Sequence, residues 1–439
     1  MRVYDVRDYG ATGSKDQNAQ AAIQAAIDAC ESDGGGTVYL PPGQYTSGTL
    51  HLRSHMRFHL EAGATLYSSK DQAHYDRESL LFGEDLVNIT VEGRGKLDGQ
   101  SVYEWRLNDM QDWYILPNQR KMESLGKPLR RPFPASGSVG KLMLLIRCRD
   151  VLIQDLAFLD SPFWTMHLYG CERVIIDRLL IRTSRESGVW ADGIDPDGCR
   201  DVRISNCTID TGDDAIVFYS YDFHGPALPC ENITVTNCRL SSAGSALKFC
   251  DGNKKYIRNV TVDNCVITDS NRGIAFMVFD GGYVSDVVIS NLTVDCRRYD
   301  WFWWGNGDPI HFNVIQRSQI HPELASEDEP PPGLIRNVLI ENVVARGTGP
   351  CSISGHRDSP LAGVTLKNVK MTMATDHEAP YEVEGPAMAF HHARNMRLDG
   401  IEIIWEEPVA PGWQGATSFE NVELGKFDLC ERRTTPPVT

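Results

Sequence analysis

A short apolar strand that closes on asparagine recurs along the chain: DVRISN ending at Asn206, ITVTN at Asn237, VTVDN at Asn264, VVISN at Asn291, VLIEN at Asn342 and VTLKN at Asn368. The spacings are 31, 27, 27, 51 and 26 residues. Weaker copies, DVLIQD and RVIIDR, end at Asp155 and Arg178. A second strand follows in each unit, and four copies align: Ile216-Val217-Phe218-Tyr219, Leu247-Lys248-Phe249-Cys250, Ile274-Ala275-Phe276-Met277 and Ile310-His311-Phe312-Asn313. Alternate residues of a strand face opposite sides. Ile/Leu and Phe therefore point one way in every copy, and Phe218, Phe249, Phe276 and Phe312 are expected to stack inside. The outer face carries Val217, Lys248, Ala275 and His311 in one column, and Tyr219, Cys250, Met277 and Asn313 in the next.

Repeats of this length, built from short alternating strands, predict a solenoid in which each coil is buried only by its neighbours. The fold class expected is all-β: a single-domain right-handed parallel β-helix with an N-terminal capping helix. Residues 17–31, QNAQAAIQAAIDACE, give the one clear amphipathic helix, placed to cover the open first coil. The boundaries expected are 1–60 for the cap and first strands, 61–410 for the main body of the solenoid and 411–439 for a C-terminal tail or cap. Insertions fall near 101–137 and 300–333. The second holds Trp301-Phe302-Trp303-Trp304 and the acidic, proline-rich stretch from Glu327 to Pro332.

Composition changes this picture in three places. The chain has 439 residues and a net charge of −16, which argues against a nucleic-acid backbone or an anionic membrane as partner. Twelve cysteines are present, but Cys207, Cys238 and Cys265 recur at one repeat position, so reduced, buried packing groups are expected. No CxxC pair suggests a metal site, and no cofactor is expected. The start, Met1-Arg2-Val3-Tyr4-Asp5-Val6, lacks an apolar leader core. That reads as cytoplasmic if the chain is complete, and as secreted or periplasmic if a leader was removed. The Asn-X-Thr triplets at Asn88, Asn206, Asn232, Asn259 and Asn291 sit on repeat strands or turns and are read as structural.

The segment ADGIDPDGCRDVRISNCTIDTGDDAIVF, from Ala191 to Phe218, places an Asp-Gly and a Gly-Asp-Asp element on successive coils. With AAIQAAIDACESDGGGTVYLPPGQYTSGTLHLRS near the start and SPFWTMHLYGC at 161–171, it resembles the polygalacturonase family of glycoside hydrolases. The resemblance covers most of the chain. It implies an inverting hydrolase acting on a pectin-derived or related oligosaccharide or polysaccharide. Asp213 would be the general acid, and Asp192 and Asp214 would activate the attacking water. An aspartate alone is commonly a turn former; three matched on adjacent coils make a catalytic constellation. Displacement along the strand would give the acid and base the wide separation typical of inverting enzymes. Asp195 and Asp197 are read as structural or supporting.

The chain departs from the family at three elements. Many members have Asn-Thr-Asp where Trp190-Ala191-Asp192 stands; Gly-His-Gly becomes Gly244-Ser245-Ala246; and Arg-Ile-Lys, which grips the sugar carboxylate in the family, becomes Ala275-Phe276-Met277. Lys248, with His311 flanking it, is expected to contact the substrate in place of that pair. His167 and Arg272 are further binding candidates, and Trp303 and Trp304 are candidates for stacking on a sugar ring. The insertions would wall off one end of the groove, which favours exo action. Two other readings stay open: a lyase or epimerase on the same solenoid, with Lys248 as base, and a non-catalytic carbohydrate-binding β-helix.

Overall fold

The computed structural model describes residues 2–101, 105–107, 132–134, 140–185, 188, 190–299, 305–320, 322, 325–376 and 384–434. The fold is a right-handed parallel β-helix with an N-terminal helix. It divides into two compact units: Met1–Leu107, Pro132–Ile216 and Glu231–Cys238 in the first, and Asn108–Arg131, Val217–Cys230 and Arg239–Thr439 in the second.

In the first unit three columns of parallel strands enclose the core. Val151, Val174, Val202 and Ile233 stand in register on one. Leu81, Met143, Met166 and Ile194 do so on the next, and Leu97, Phe158, Ile181 and Ile209 on the third. All of these side chains are buried. The helix runs over Gln20–Ser32 and buries Ile23, Ala26, Ile27 and Cys30. It starts at Gln20, three residues later than its apolar pattern. The Gln17 side chain accepts from Thr12 N–H, and Asn18 Oδ1 accepts from Gln20 N–H at 2.9 Å.

The repeated asparagines have a backbone cause. Asn206, Asn237, Asn264, Asn291, Asn342 and Asn368 all lie at φ between 51° and 57°, the left-handed region that asparagine tolerates better than most residues. Their amides also ladder, Asn342 donating to Asn291 at 3.1 Å and Asn368 to Asn342 at 2.8 Å. The weaker copies keep the same turn: Asp155 and Arg178 sit at φ 62° and 53°. There a two-pronged guanidinium–carboxylate pair at 2.7 and 2.8 Å replaces the amide ladder.

In the second unit the aromatic stack forms as its spacing predicts. Ring centroids lie 5.1 Å apart for Phe218 and Phe249, and 4.3 Å for both Phe249–Phe276 and Phe276–Phe312. The register carries the column on through Ile353 and Phe390 to Phe419. Each buried Phe contributes about 1.5–3 kcal/mol by burial, so Phe276→Ala would cost about 3–5 kcal/mol. The last stretch, Thr417–Arg433, is itself a strand paired parallel with Met388–Trp405. All twelve cysteines are free and all but Cys430 are buried.

Candidate active site

In the first unit the carboxylates of Asp192, Asp213 and Asp214 converge, each offering an oxygen within 4.8 Å of the others. All three are buried. Asp192 stands two residues before the first residue of the strand Ile194–Asp197. The backbone locks the two acidic segments side by side: Gly193 N–H donates to the Asp214 carbonyl at 2.9 Å and Ile194 N–H to that of Ala215 at 3.0 Å. Trp190 N–H donates to Asp213 Oδ2 at 3.1 Å and sets the rotation of that carboxyl.

The glycines of the two motifs are required by this closeness. A Cβ on Gly193 would stand 2.3 Å from the Ala215 carbonyl oxygen, and one on Gly212 would stand 2.2 Å from that of Ser184. Thr183 ties the segments together, donating from Oγ1 to Ala191 O at 3.1 Å and accepting from Gly212 N–H at 2.8 Å. Trp190 lies at φ 70°, a conformation that costs a bulky residue of order 1–3 kcal/mol and tends to persist at functional sites. An asparagine, the residue many relatives of this motif carry, meets no such penalty.

The nearest oxygens of the trio lie within 4.8 Å of one another. That spacing suits a single water. A water that hydrogen-bonds two oxygens at about 2.7 Å each bridges up to about 5.4 Å. It also matches a hard cation, whose oxygen ligands at about 2.4 Å stand at most about 4.8 Å apart. The same three residues are therefore the ones that could hold a metal ion.

A fourth carboxyl belongs to the cluster. Asp195 is fully buried. Burial pushes its carboxyl well above the ordinary carboxylate range; contact with Asp192 and the charge of Lys141 pull it down, and the charges of Asp214 and Asp213 raise it further. Lys141 is buried as well, ion-paired with Glu78 and lying 5.5 and 5.6 Å from the Phe163 and Trp164 ring centres. Phe163 meets Trp164 at 5.6 Å and Trp190 at 6.0 Å, so aromatic rings flank the carboxylates. Sequence reasoning passed over Lys141, Phe163 and Trp164. The signal was positional: Lys141, Trp164 and Asp192 each stand two residues before Met143, Met166 and Ile194, which are in register.

His167 keeps the expected parity, with Met166 and Leu168 turned inward, but its ring is fully buried. It packs edge-on against Trp164 at 4.9 Å and lies 3.4 Å from Asp197 Oδ2.

In the second unit Lys248, Ala275 and His311 share one column by register. Lys248 Nζ lies 3.6 Å from Asp251 Oδ1, and Arg317 reaches the other oxygen at 3.5 Å. Burial would raise the Asp251 pKa, but Lys248 and Arg317 hold it down to about 2. Arg272 stands in register with Ser245 on one side and Asp308 on the other. Its Nε donates to Asp308 Oδ2 at 2.8 Å, and His311 Nδ1 lies 3.3 Å from the same oxygen. Burial works to raise Asp308, yet Arg272 and His311 keep it at about 2. Burial first, then the Arg272 charge, depress His311 against the pull of Asp308. Lys248, Arg272 and His311, all chosen from the sequence, are thus each paired with a carboxylate. Trp303 and Trp304 lie outside the described residues.

Residues 30–299 match the glycosyl hydrolases family 28. The chain is 26% identical over 265 residues to a probable polygalacturonase of Vitis vinifera, covering 55% of this chain and 49% of that one. It is 26% identical over 241 residues to an exopolygalacturonase of Platanus acerifolia, covering 54% and 56%. It thus spans about half the length of the curated relatives it matches. Among solved structures it resembles an exopolygalacturonase of Thermotoga maritima, with a TM-score of 0.65, 22% identity and coverage of 91% and 92%. A family 28 exopolygalacturonase of Yersinia enterocolitica gives 0.66, 19%, 96% and 78%. At these identities the two structures speak for the fold alone. With the family match spanning more than half of the chain, and the acidic motifs folded into one cluster, the chain belongs to family 28 of the glycosyl hydrolases.

Proposed function

We propose that this protein hydrolyses glycosidic bonds in pectin-derived or related plant oligosaccharides, with inversion at the anomeric carbon and attack at a chain end. The observation that carries the reading is the buried trio Asp192, Asp213 and Asp214, with oxygens within 4.8 Å of one another. Asp213, oriented by the Trp190 amide, protonates the leaving oxygen. Asp192 and Asp214 hold the water that attacks from the opposite face. A cluster of like charges retains a proton at a pH where an isolated carboxylate has lost it, which is what a general acid needs. Relatives named exopolygalacturonases support the chain-end preference. The test is to incubate the protein with defined pectic oligosaccharides and follow products by mass and by proton NMR. A saturated reducing sugar of inverted configuration, released one end unit at a time, is expected. An unsaturated product, retention or binding without turnover would refute the reading.

We propose that Lys248 contacts an anionic sugar, with His311 beside it, in place of the basic pair replaced by Ala275 and Met277. Lys248→Met should then raise KM sharply for uronic substrates, and the wild-type rate should fall with salt. Salt-insensitive turnover with a preference for neutral oligosaccharides would refute this part while leaving the hydrolase reading intact.

A further inference from the structure

A second cleft lies in the second unit, with a volume of about 460 Å³ and walls that include Tyr221, Lys254, Phe279, Asp280, Arg317 and Pro330. Small-molecule sites fall roughly between 300 and 1,000 Å³. Its residues come from the C-terminal ends of neighbouring strands. Lys254 follows Ser245–Asn253, Phe279 and Asp280 follow Arg272–Val278, and Arg317 follows Asp308–Val314. Ser245, Arg272 and Asp308 mark the opposite ends, about 20 Å away at about 3.3 Å per residue. The acidic, proline-rich insertion closes the cleft through Asp328, Glu329 and Pro330.

The lining has two kinds of wall. Tyr221, Phe279 and Pro330 are apolar, and Phe223, 45% exposed, meets the Tyr221 ring at 4.7 Å. The polar wall is held rigidly. Arg317 forks onto Asp280 at 2.6 and 2.7 Å, and Lys254 bonds Asp222 at 2.8 Å while lying 4.6 Å over Tyr221.

We infer that this cleft is a site for a neutral saccharide unit, distinct from the carboxylate cluster. Sugar rings combine C–H faces, which pack on aromatics, with hydroxyls that both donate and accept, and a locked carboxylate–guanidinium pair offers both partners. Charge excludes an acidic sugar here. Asp280, Asp328 and Glu329 outnumber Lys254 and Arg317 in the lining, which is therefore net negative. A protein that cuts a uronic main chain and holds a neutral unit elsewhere would take a substrate in which the two occur together.

The test is binding to the full chain, by calorimetry and saturation-transfer NMR, of galactose, xylose, arabinose, rhamnose and galacturonate. At least one neutral sugar should bind and weaken by roughly tenfold or more in both Tyr221→Ala and Asp280→Asn, a change of about 1.4 kcal/mol. Asp280→Asn is isosteric and keeps the inference testable if Tyr221→Ala fails to fold. If no neutral sugar binds, if binding survives both substitutions, or if galacturonate is the ligand these variants lose, the inference is wrong. Neither variant touches Asp192, Asp213 or Asp214, and no turnover is measured, so this outcome is separate from the fate of the hydrolase reading.

Discussion

The two units bury charge in opposite ways. In the first, four carboxyls (Asp192, Asp195, Asp213 and Asp214) lie together, and the cation whose charge reaches Asp195, Lys141, is itself ion-paired with Glu78. In the second, half-buried Asp251 faces Lys248 and Arg317, and buried Asp308 faces Arg272 and His311. Both arrangements sit on the same solenoid strands, so the fold does not dictate either. Paired charges hold their ionised forms down to low pH and fix neighbouring loops, as Asp308 does by accepting from Asn306 N–H at 2.9 Å. Crowded like charges keep a proton instead, which destabilises the fold and readies the site for proton transfer.

The largest effect that tests this contrast is on rate. Asp213→Asn should lower turnover by roughly 10²–10⁴-fold while leaving the circular dichroism spectrum and ligand binding intact. Wild-type-like turnover in that variant would place the acid elsewhere.

The next effect is on stability and should appear only in the second unit. Arg272→Met strands Asp308 as a buried carboxylate and should destabilise the fold by about 3–5 kcal/mol, read from denaturant midpoints. The pairs also give an acid limb. Asp251 and Asp308 are held at about 2, below the unfolded value of about 4. Their contribution is complete above about 4 and is lost as pH falls towards about 2.

Asp195 should behave with the opposite sign. Its folded carboxyl is raised, so the native state binds more protons than the unfolded chain once pH passes about 4. Its effect on stability is therefore absent below that point and becomes a penalty as pH rises towards the folded value. Asp195→Asn should raise the melting temperature by a few degrees near neutral pH and leave it unchanged near pH about 4. A melting temperature that falls at neutral pH would mean that the ionised carboxylate is the stabilising form.

How much of this was legible beforehand differs between fold and site. The repeat of strand and asparagine was enough for the solenoid and for the Phe218–Phe312 stack, because period and parity are local properties of sequence. The acidic trio was legible through its motif, and its glycines acquire their reason only from neighbouring carbonyls that would stand 2.2–2.3 Å from an added Cβ. The ion pairs were not legible. Asp308 lies 36 residues from Arg272, and nothing in a strand pattern says which carboxylate a cation will meet across coils. Lys248 was read as a cleft cation because parity gives direction without giving partner. Lys141 escaped for the same reason.

The smallest expected effect is that of a chelator, and it tests whether the tight trio is built for a proton or for a cation. Oxygens within 4.8 Å of one another satisfy both geometries, so spacing alone does not decide. The chemistry separates them. A proton shared in the cluster serves protonation of a leaving oxygen and needs no added ion, whereas a hard cation would screen the carboxylates and draw their protons off. On the acid–base reading, turnover should be unchanged after exhaustive treatment with EDTA, and millimolar calcium should leave it equal or lower. Asp195 supplies a second readout, since a cation between Asp192 and its neighbours would lower the Asp195 pKa and flatten the pH dependence of stability in wild type. Loss of activity on chelation, restored by calcium and accompanied by an ultraviolet-absorbing unsaturated product, would turn the trio into a cation site for β-elimination. The contrast between the units would then lie between carboxylates balanced by side chains and carboxylates balanced by an ion.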